Sequence, residues 1–272
     1  MIRARRRFGQ NFLEPAWVEK VIRAIDPRPD DTFIEIGPGR GALTRPLAAR
    51  VKQVVAYEID RDLAAELEAS APPNVTMVRG DFLTSNPQSL IPNPCRVAGN
   101  LPYNVASPVL FKLKDLFAAG MPIADAAVML QREVADRLLA RPGTKEYGVL
   151  TVLIRHGAGV ERLLALPPGA FRPVPRVQSS LLRLRFHPPE PPVRDPAVFE
   201  SLVQAVFTRR RKTLGNALAA YKGTVPARGT GTTERGLSPI LAGAGIDGNR
   251  RPETLSIAEF ARLADVLATH PR

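Results

Sequence analysis

The sequence predicts an α/β protein, in which a parallel sheet carries helices on both faces and a small all-helical domain follows. Over the first two-thirds of the chain, short apolar runs alternate with helical patterns, and a glycine-rich turn follows the first run. A proline-rich segment then precedes a stretch with helical periodicity. The 272 residues are enough for one large core and a smaller one.

Five apolar runs are predicted to be buried strands, with helices between the first few. We expect the strands at Thr32–Ile36, Gln53–Tyr57, Val75–Arg79, Arg96–Ala98 and Ala126–Leu130. We expect the helices at Leu43–Arg50 and Leu63–Ala69. Two later runs, Thr151–His156 and Ser180–Phe186, are separated by a loop rich in proline and glycine, and we expect them to pair antiparallel at the edge of the sheet.

The predicted second domain begins with a stiff linker. Five prolines between His187 and Pro196 exclude a helix or a central strand over residues 188–196. Beyond the linker we expect a loop at Lys222–Gly231 and helices at Val198–Val206, Thr213–Tyr221 and Ile257–Ala268. The predicted domains are therefore residues 1–187 and residues 188–272.

Charge and composition limit the function. The net charge is +12, with +8 in residues 1–187 and +4 in residues 188–272, and arginine carries most of it. A nucleic acid is therefore the expected partner, although an arginine-rich proteome would also produce a basic chain. No apolar run is long enough to span a bilayer, and no secretory signal follows the basic start. The lone Cys95 excludes an internal disulfide and argues against a zinc cluster, so we expect a cytoplasmic protein without a metal.

A glycine-rich turn is the first candidate binding element. Gly37, Gly39 and Gly41 follow the first strand, so the backbone there can turn tightly and approach a ligand closely. Their spacing differs from that of the dinucleotide fingerprint. Glu35, at the end of the strand, would repel a phosphate but favour the cationic end of S-adenosylmethionine. A purely structural connection between strand and helix is the alternative.

Two acidic residues at the ends of the next two strands favour the binding interpretation. Glu58 closes the second strand, where a carboxylate can accept both ribose hydroxyls. A helix N-cap or a solvated acid is the alternative role. Asp81 closes the third strand beside Phe82, where it can accept a hydrogen bond from the adenine amino group of the cofactor.

The segment Asn100-Leu101-Pro102-Tyr103 fits the (N/D/S)-(I/L/P)-P-(Y/F/W) pattern of amino-methyltransferases. The exocyclic nitrogen of adenine is a poor nucleophile because its lone pair is delocalised into the ring. The side-chain oxygen of Asn100 and the backbone oxygen of Leu101 can each accept one N–H of that amino group. The nitrogen lone pair then points at the sulfonium methyl group of S-adenosylmethionine. Pro102 fixes the backbone, and Tyr103 offers a face for stacking.

With these motifs the chain resembles the small-subunit (16S) ribosomal RNA adenine dimethyltransferases, the kasugamycin-resistance methyltransferase family. The resemblance runs almost from end to end, through Arg7–Leu13, Glu35–Thr44, Glu58–Asp60, Gly99–Asn104, Leu130–Arg137, Tyr147-Gly148, Phe171–Val177 and Arg210–Leu214. It implies a Rossmann-like sheet that binds S-adenosylmethionine, with Asn11, Leu13, Gly37, Glu58, Asp81 and Asn100 lining the cofactor pocket. It also implies that Tyr103 and Phe171 sandwich the target adenine.

Departures from the family pattern and two basic clusters complete the predicted site. Arg40 stands where a small or apolar residue is usual, Gln178 stands where an acid is expected, and Asn104-Val-Ala-Ser replaces Asn-Ile-Ser/Ala-Thr. We expect the two clusters to contact RNA phosphates, and they comprise Arg5, Arg6 and Arg7 near the N-terminus and Arg209, Arg210, Arg211 and Lys212 after the linker.

The predicted function is dimethylation of two adjacent adenines near the 3′ end of small-subunit rRNA. We expect a monomer that acts on the precursor of the 30S subunit. Three alternatives remain open. They are a resistance methyltransferase of large-subunit (23S) rRNA, a DNA adenine methyltransferase, and a non-catalytic assembly or transcription factor on the same fold.

Overall fold

The computed structural model describes residues 11–89, 94–218, 221 and 234–269, with the backbone alone for Ser89 and residues 234–238. These residues form two compact units. The first contains the residues up to Ala135 together with Gly159–Phe186, and the second contains Asp136–Ala158 together with the residues from His187 onward. The chain passes from the first unit to the second after Phe186. Residues 136–158, which the predicted division places in the first domain, also belong to the second unit.

The first unit is built on a seven-stranded sheet. In chain order its strands are β2 (Thr32–Ile36), β3 (Gln53–Glu58), β4 (Val75–Arg79), β5 (Cys95–Asn100), β6 (Ile123–Gln131), β7 (Ala158–Leu166) and β9 (Ser179–Phe186), and their order across the sheet is β4-β3-β2-β5-β6-β9-β7. The pairs from β4 to β6 are parallel, whereas β9 runs antiparallel to β6. Two short strands, β1 (Phe12–Leu13) and β8 (Phe171–Arg172), pair antiparallel with each other.

Helix α1 (Pro15–Ile25) precedes β2, and helices follow most of the parallel strands because apolar side chains must cover a sheet of this kind. The helices that follow strands are α2 (Thr44–Ala48), α3 (Arg61–Glu68), α4 (Ala106–Ala118) and α5 (Arg132–Leu139). One core cluster joins Ile22 and Ile25 of α1, Leu47 of α2 and Phe33 of β2, all fully buried or nearly so. The five predicted parallel strands are confirmed, with ends shifted by up to three residues.

One predicted strand is wrong. The run Thr151–His156 forms most of helix α6 (Val149–Arg155) together with its C-cap, His156, and β9 lies between β6 and β7 in the sheet. β-branched residues favour strands, but Thr151, Val152, Leu153 and Ile154 are all buried, so they show no periodicity that would identify a helix. The buried Thr151 hydroxyl has a hydrogen-bond partner in the second unit, since it donates to the backbone oxygen of Arg137 at 2.6 Å.

The second unit is helical, and its helices pack against one another. After α6 come α7 (Pro196–Thr208), α8 (Leu214–Leu218), α9 (Glu234–Gly243) and α10 (Ile257–Ala268), with α7 packed against α8 and α10. The Asp195 carboxylate caps α7, accepting from the backbone nitrogen of Ala197 at 2.8 Å. The predicted fold class is therefore confirmed, while the predicted loop at Lys222–Gly231 lies outside the described residues. Over the described ranges, no helix is both long and apolar enough to cross a membrane.

Candidate active site

The carboxyl ends of four parallel strands converge on one pocket of the first unit. The register places Ile36 of β2 opposite Tyr57 of β3 and Gly99 of β5, so the loops that follow these strands open at the same edge. The pocket has a volume of about 210 Å³. Open α/β sheets bind their ligands at this edge. The predicted site residues that line the pocket are Asn11, Leu13, Gly37, Gly39, Glu58, Asp81, Asn100, Leu101, Pro102 and Tyr103.

The glycine-rich turn forms one wall. Gly37, Gly39 and Gly41 have φ angles of 70°, 57° and 77°, in the left-handed region that only glycine adopts readily. The Gly37 nitrogen donates to the Tyr57 oxygen at 2.9 Å, which ties the turn to β3. Gly41 closes the turn through a hydrogen bond to the Pro38 oxygen and does not itself line the pocket.

Glu58 is fixed in the pocket by two backbone donors. Its carboxylate oxygens accept from the backbone nitrogens of Gly39 and Asp60, each at 2.9 Å. Burial raises the pKa of this carboxyl, although the same hydrogen bonds oppose the rise. Asp60, and not Glu58, caps the helix that follows. Each Glu58 oxygen can accept more than one hydrogen bond, so the carboxylate can also bind ribose hydroxyls.

Glu35 is the most deeply buried acid of the pocket. Its side chain is 2% exposed, and its Oε2 atom has no hydrogen-bond partner among the described residues. Burial raises the pKa of Glu35 to about 7, and the charge of Glu58 contributes to the rise. An unpartnered buried carboxylate oxygen is costly, so a ligand that supplies positive charge or a donor fits this position.

Asp81 and Phe82 form the wall beyond β4. The Oδ1 atom of Asp81 accepts from the backbone nitrogen of Leu83 at 2.9 Å, and the Phe82 ring packs edge-on against Tyr57. Lys112, on α4, holds this loop: its ammonium donates to the backbone oxygens of Leu83 and Ser85 at 2.7 and 2.5 Å. A single lysine in an amphipathic helix carries no sequence signal for such a role, so sequence analysis missed it.

The predicted catalytic segment lies next to the glycine turn, where a Cβ atom on Gly37 would stand 3.9 Å from the Asn100 backbone oxygen. Asn100 is the last residue of β5, and its Nδ2 atom donates to the Asn11 backbone oxygen at 2.6 Å. Because the amide nitrogen is bound in this way, the Oδ1 atom is the acceptor left for a substrate. The Leu101 nitrogen donates to Met129 of β6 at 3.2 Å. The hydroxyl of Tyr103 lies 3.3 Å from the Ser179 hydroxyl.

Comparison with known proteins identifies the family. A family model described as "Ribosomal RNA adenine dimethylase" matches residues 1–265. The chain belongs to this dimethylase family. The predicted enzyme class, an rRNA adenine dimethyltransferase that uses S-adenosylmethionine, is thereby confirmed. A relative from Chromobacterium violaceum, "Ribosomal RNA small subunit methyltransferase A", is 42% identical over 266 residues, which cover 97% of this chain and 95% of the relative.

Two solved structures share the dimethylase fold. A dimethyladenosine transferase from Plasmodium falciparum superimposes with a TM-score of 0.74 at 24% identity, covering 93% of this chain and 95% of that one. The 23S rRNA methyltransferase ErmE superimposes with a TM-score of 0.63 at 29% identity, covering 95% of this chain and all of that one.

Two departures from the dimethylase pattern have structural partners. The Arg40 guanidinium stacks 4.4 Å from the centre of the Phe12 ring, and that ring lines the pocket and packs against Gly39. Arg40 therefore supports the pocket wall from outside the pocket. Gln178 accepts from Arg132 through its side chain at 2.9 Å and through its backbone oxygen at 2.8 Å. A hydrogen bond from the charged Arg132 guanidinium to a neutral amide thus stands where an acid at position 178 would form an ion pair.

Phe171 is not brought to the pocket. Its side chain is 1% exposed and lies in the core cluster, and it pairs through β8 with Leu13, which does line the pocket. Stacking of Phe171 on the target adenine stays a prediction, and it requires the ring to leave this position.

The basic clusters differ in what the structure describes of them. Arg5, Arg6 and Arg7 lie outside the described residues. In the second unit Arg209, Arg211 and Lys212 are exposed, whereas Arg210 forms an ion pair with Glu253 and donates to the Thr144 oxygen at 3.1 Å. The contacts of Arg210 therefore give it a structural role, and a phosphate-binding surface would consist of the other three side chains. The described residues include no cluster of His, Cys, Asp and Glu that could hold a metal.

Proposed function

We propose that this enzyme transfers methyl groups to the amino groups of two adjacent adenines near the 3′ end of small-subunit rRNA. The observation that carries the proposal is that Asn100–Tyr103 and the acids Glu35, Glu58 and Asp81 line one pocket. A base bound at Asn100–Tyr103 would face a cofactor bound at the three acids. The relatives named for small-subunit methylation favour this substrate over large-subunit rRNA.

The residues of the pocket suit S-adenosylmethionine. The unpartnered oxygen of Glu35 suits the cationic part, Glu58 suits the ribose, and Asp81 suits the adenine amino group. When bound, the cofactor supplies an electrophilic methyl group on a sulfonium whose departure leaves a neutral sulfide. No side chain needs to act as a general base before transfer.

The chain's own contribution is to orient the substrate amino group. Asn100 Oδ1 and the Leu101 backbone oxygen accept its two N–H groups, which favours a pyramidal nitrogen. The Tyr103 ring supports the base, and its hydroxyl lies 3.3 Å from the Ser179 hydroxyl. Asn100 is itself held by the Asn11 backbone oxygen, so its acceptor atom is positioned before the substrate binds.

We assign RNA binding outside the pocket to the second unit, through Arg209, Arg211 and Lys212. On this proposal residues 1–187 are the catalytic domain except for residues 136–158, which belong to the second unit. Residues 188–196 are the linker, and residues 188–272 as a whole belong to the RNA-binding domain. The protein would act as a monomer in the cytoplasm on the precursor of the 30S subunit.

Primer extension across rRNA from a deletion strain tests the function, because dimethyladenine stops reverse transcription. We expect the strain to lack a stop near the 3′ end of small-subunit rRNA. The wild-type gene should restore the stop, and a gene carrying Asn100→Ala should not. If the wild-type gene instead restored a stop in large-subunit rRNA, the proposed substrate would be wrong.

A further inference from the structure

Two exposed apolar side chains lie in one short loop of the first unit. Among residues whose side chains are described, three large hydrophobic side chains are exposed: Ile59 (47%), Val174 (54%) and Val177 (42%). Ile59 lines the pocket. Val174 and Val177 lie in residues 173–178, which connect β8 to β9 and which we name the apolar loop. Single exposed hydrophobics need no explanation, but two of them in one short loop indicate a binding surface.

The apolar loop is attached to the pocket at both ends. Just before it, β8 pairs with β1, whose residues Phe12 and Leu13 line the pocket. Just after it, the Ser179 hydroxyl lies 3.3 Å from that of Tyr103, the proposed stacking platform. These contacts place the loop beside the position proposed for the target adenine.

The loop is stiff and carries positive charge. Pro173 and Pro175 restrict its backbone, and Pro175 is buried, so the loop presents its two valines without a large loss of conformational entropy. Arg176 is exposed and forms no ion pair within the described residues. Arg172, just before the loop, is exposed as well, although it pairs with Glu14 at 3.3 Å. Apolar groups flanked by arginine suit a nucleic acid, whose bases and phosphates offer both kinds of contact.

A base within a folded RNA must leave its stack before its amino group can enter a pocket. We propose that Val174 and Val177 form a wedge that packs against the nucleotides next to the target adenine and holds that adenine out of the stack. The proposal rests on the proposed rRNA substrate. It assigns to the apolar loop a step between RNA binding and methyl transfer, while phosphate contacts supply most of the affinity.

Two double variants test the wedge. Val174→Ser with Val177→Ser removes the apolar surface, and Val174→Ile with Val177→Ile keeps it as a matched control. We would measure single-turnover methyl transfer to under-methylated small subunits at saturating cofactor, together with subunit affinity, cofactor affinity and melting temperature. The serine variant should lower the transfer rate by about tenfold or more, the effect of removing two apolar side chains from the interface. Its subunit affinity should stay within about threefold of wild type because phosphate contacts dominate binding, and its cofactor affinity and melting temperature should not change.

The outcomes separate the inference from the function on which it rests. An isoleucine variant with the wild-type rate and a slow serine variant would support the wedge. A serine variant as fast as wild type would overturn it, and so would a loss of subunit affinity with an unchanged rate, which would indicate docking to another part of the subunit. A wild-type protein that transfers no methyl group would overturn the proposed function and the inference together.

Discussion

Asn100 carries the largest share of the proposed chemistry at the scale of single residues. Because its amide nitrogen is bound by the Asn11 backbone oxygen at 2.6 Å, its Oδ1 atom can act as a preorganised acceptor. Asn100→Ala should therefore reduce the single-turnover methyl-transfer rate by about 10²–10³, as for removal of one preorganised polar partner. Affinity for the small subunit should barely change because phosphate contacts dominate it.

Tyr103→Phe is the matched control for Asn100→Ala, since it keeps the ring face and removes only the contact with Ser179. It should retain most of the activity. Cofactor must be saturating in both assays because Asn100 also lines the cofactor pocket. A near-wild-type rate for Asn100→Ala would remove this segment from the catalytic centre.

Glu35 should make cofactor binding depend on pH. Its pKa of about 7 in the free protein lies above the ordinary 4.5, and a bound cation favours the ionised form. Affinity for S-adenosylmethionine should therefore rise as the pH increases through about 7 and level off above it, with a slope of at most about tenfold per pH unit. Calorimetry on wild type and Glu35→Gln would check this, and the difference between the two curves isolates Glu35 from ionisation of the cofactor itself.

The same shift has the opposite effect on stability. A carboxyl whose folded-state pKa is raised disfavours folding once it must ionise, so the penalty develops as the pH rises from 4.5 to about 7. Glu35→Gln should raise the melting temperature of the cofactor-free protein above neutral pH while it weakens cofactor binding. If the variant bound the cofactor as tightly as wild type at every pH, Glu35 would have no contact with the cation.

At the scale of elements, the pocket depends on ties between segments distant in the chain. Lys112 of α4 binds two backbone oxygens of the loop that carries Asp81. Lys112→Met keeps the length of the side chain but removes both hydrogen bonds. It should weaken cofactor affinity by about 1–3 kcal/mol, the cost of leaving such groups unpaired, and leave the transfer rate at saturating cofactor unchanged.

Lys114, two residues further along the same helix, provides the comparison for Lys112. Its ammonium lies 3.8 Å from Asp115, which is largely exposed, so Lys114→Met should have no effect on cofactor binding. Equal cofactor affinities for the Lys112 and Lys114 variants would show that the loop does not need this tie.

Local sequence patterns were sufficient to predict the elements that depend only on neighbouring residues. The strand before Gly37, the left-handed turn and the acids at the ends of β3 and β4 all arise from residues adjacent in sequence. Helix α6 could not be predicted because burial on all sides removes its periodicity. Phe171 in the core and the Arg210–Glu253 pair also escaped prediction, since each depends on partners far away in sequence.

At the scale of the whole molecule, the net charge is +12, but basic side chains that form internal ion pairs are not available to bind RNA phosphates. The ion pair of Arg210 limits the proposed surface of the second unit to Arg209, Arg211 and Lys212. Replacing these three with alanine should reduce the slope of log affinity for RNA against log salt by about 0.7–0.9 for each phosphate that is no longer neutralised. Cofactor affinity should not change.

Neutralising Lys20, Arg23 and Lys52, three exposed residues of the first unit, removes the same charge elsewhere and serves as the control. Removal of a specific phosphate contact lowers the slope because fewer counterions are released on binding, whereas a uniform change in charge affects both triple variants alike. The slope should therefore fall only in the variant of the second unit. Equal slopes in the two variants would show that Arg209, Arg211 and Lys212 contribute general positive charge, and that the contacts to RNA phosphates lie elsewhere on the chain.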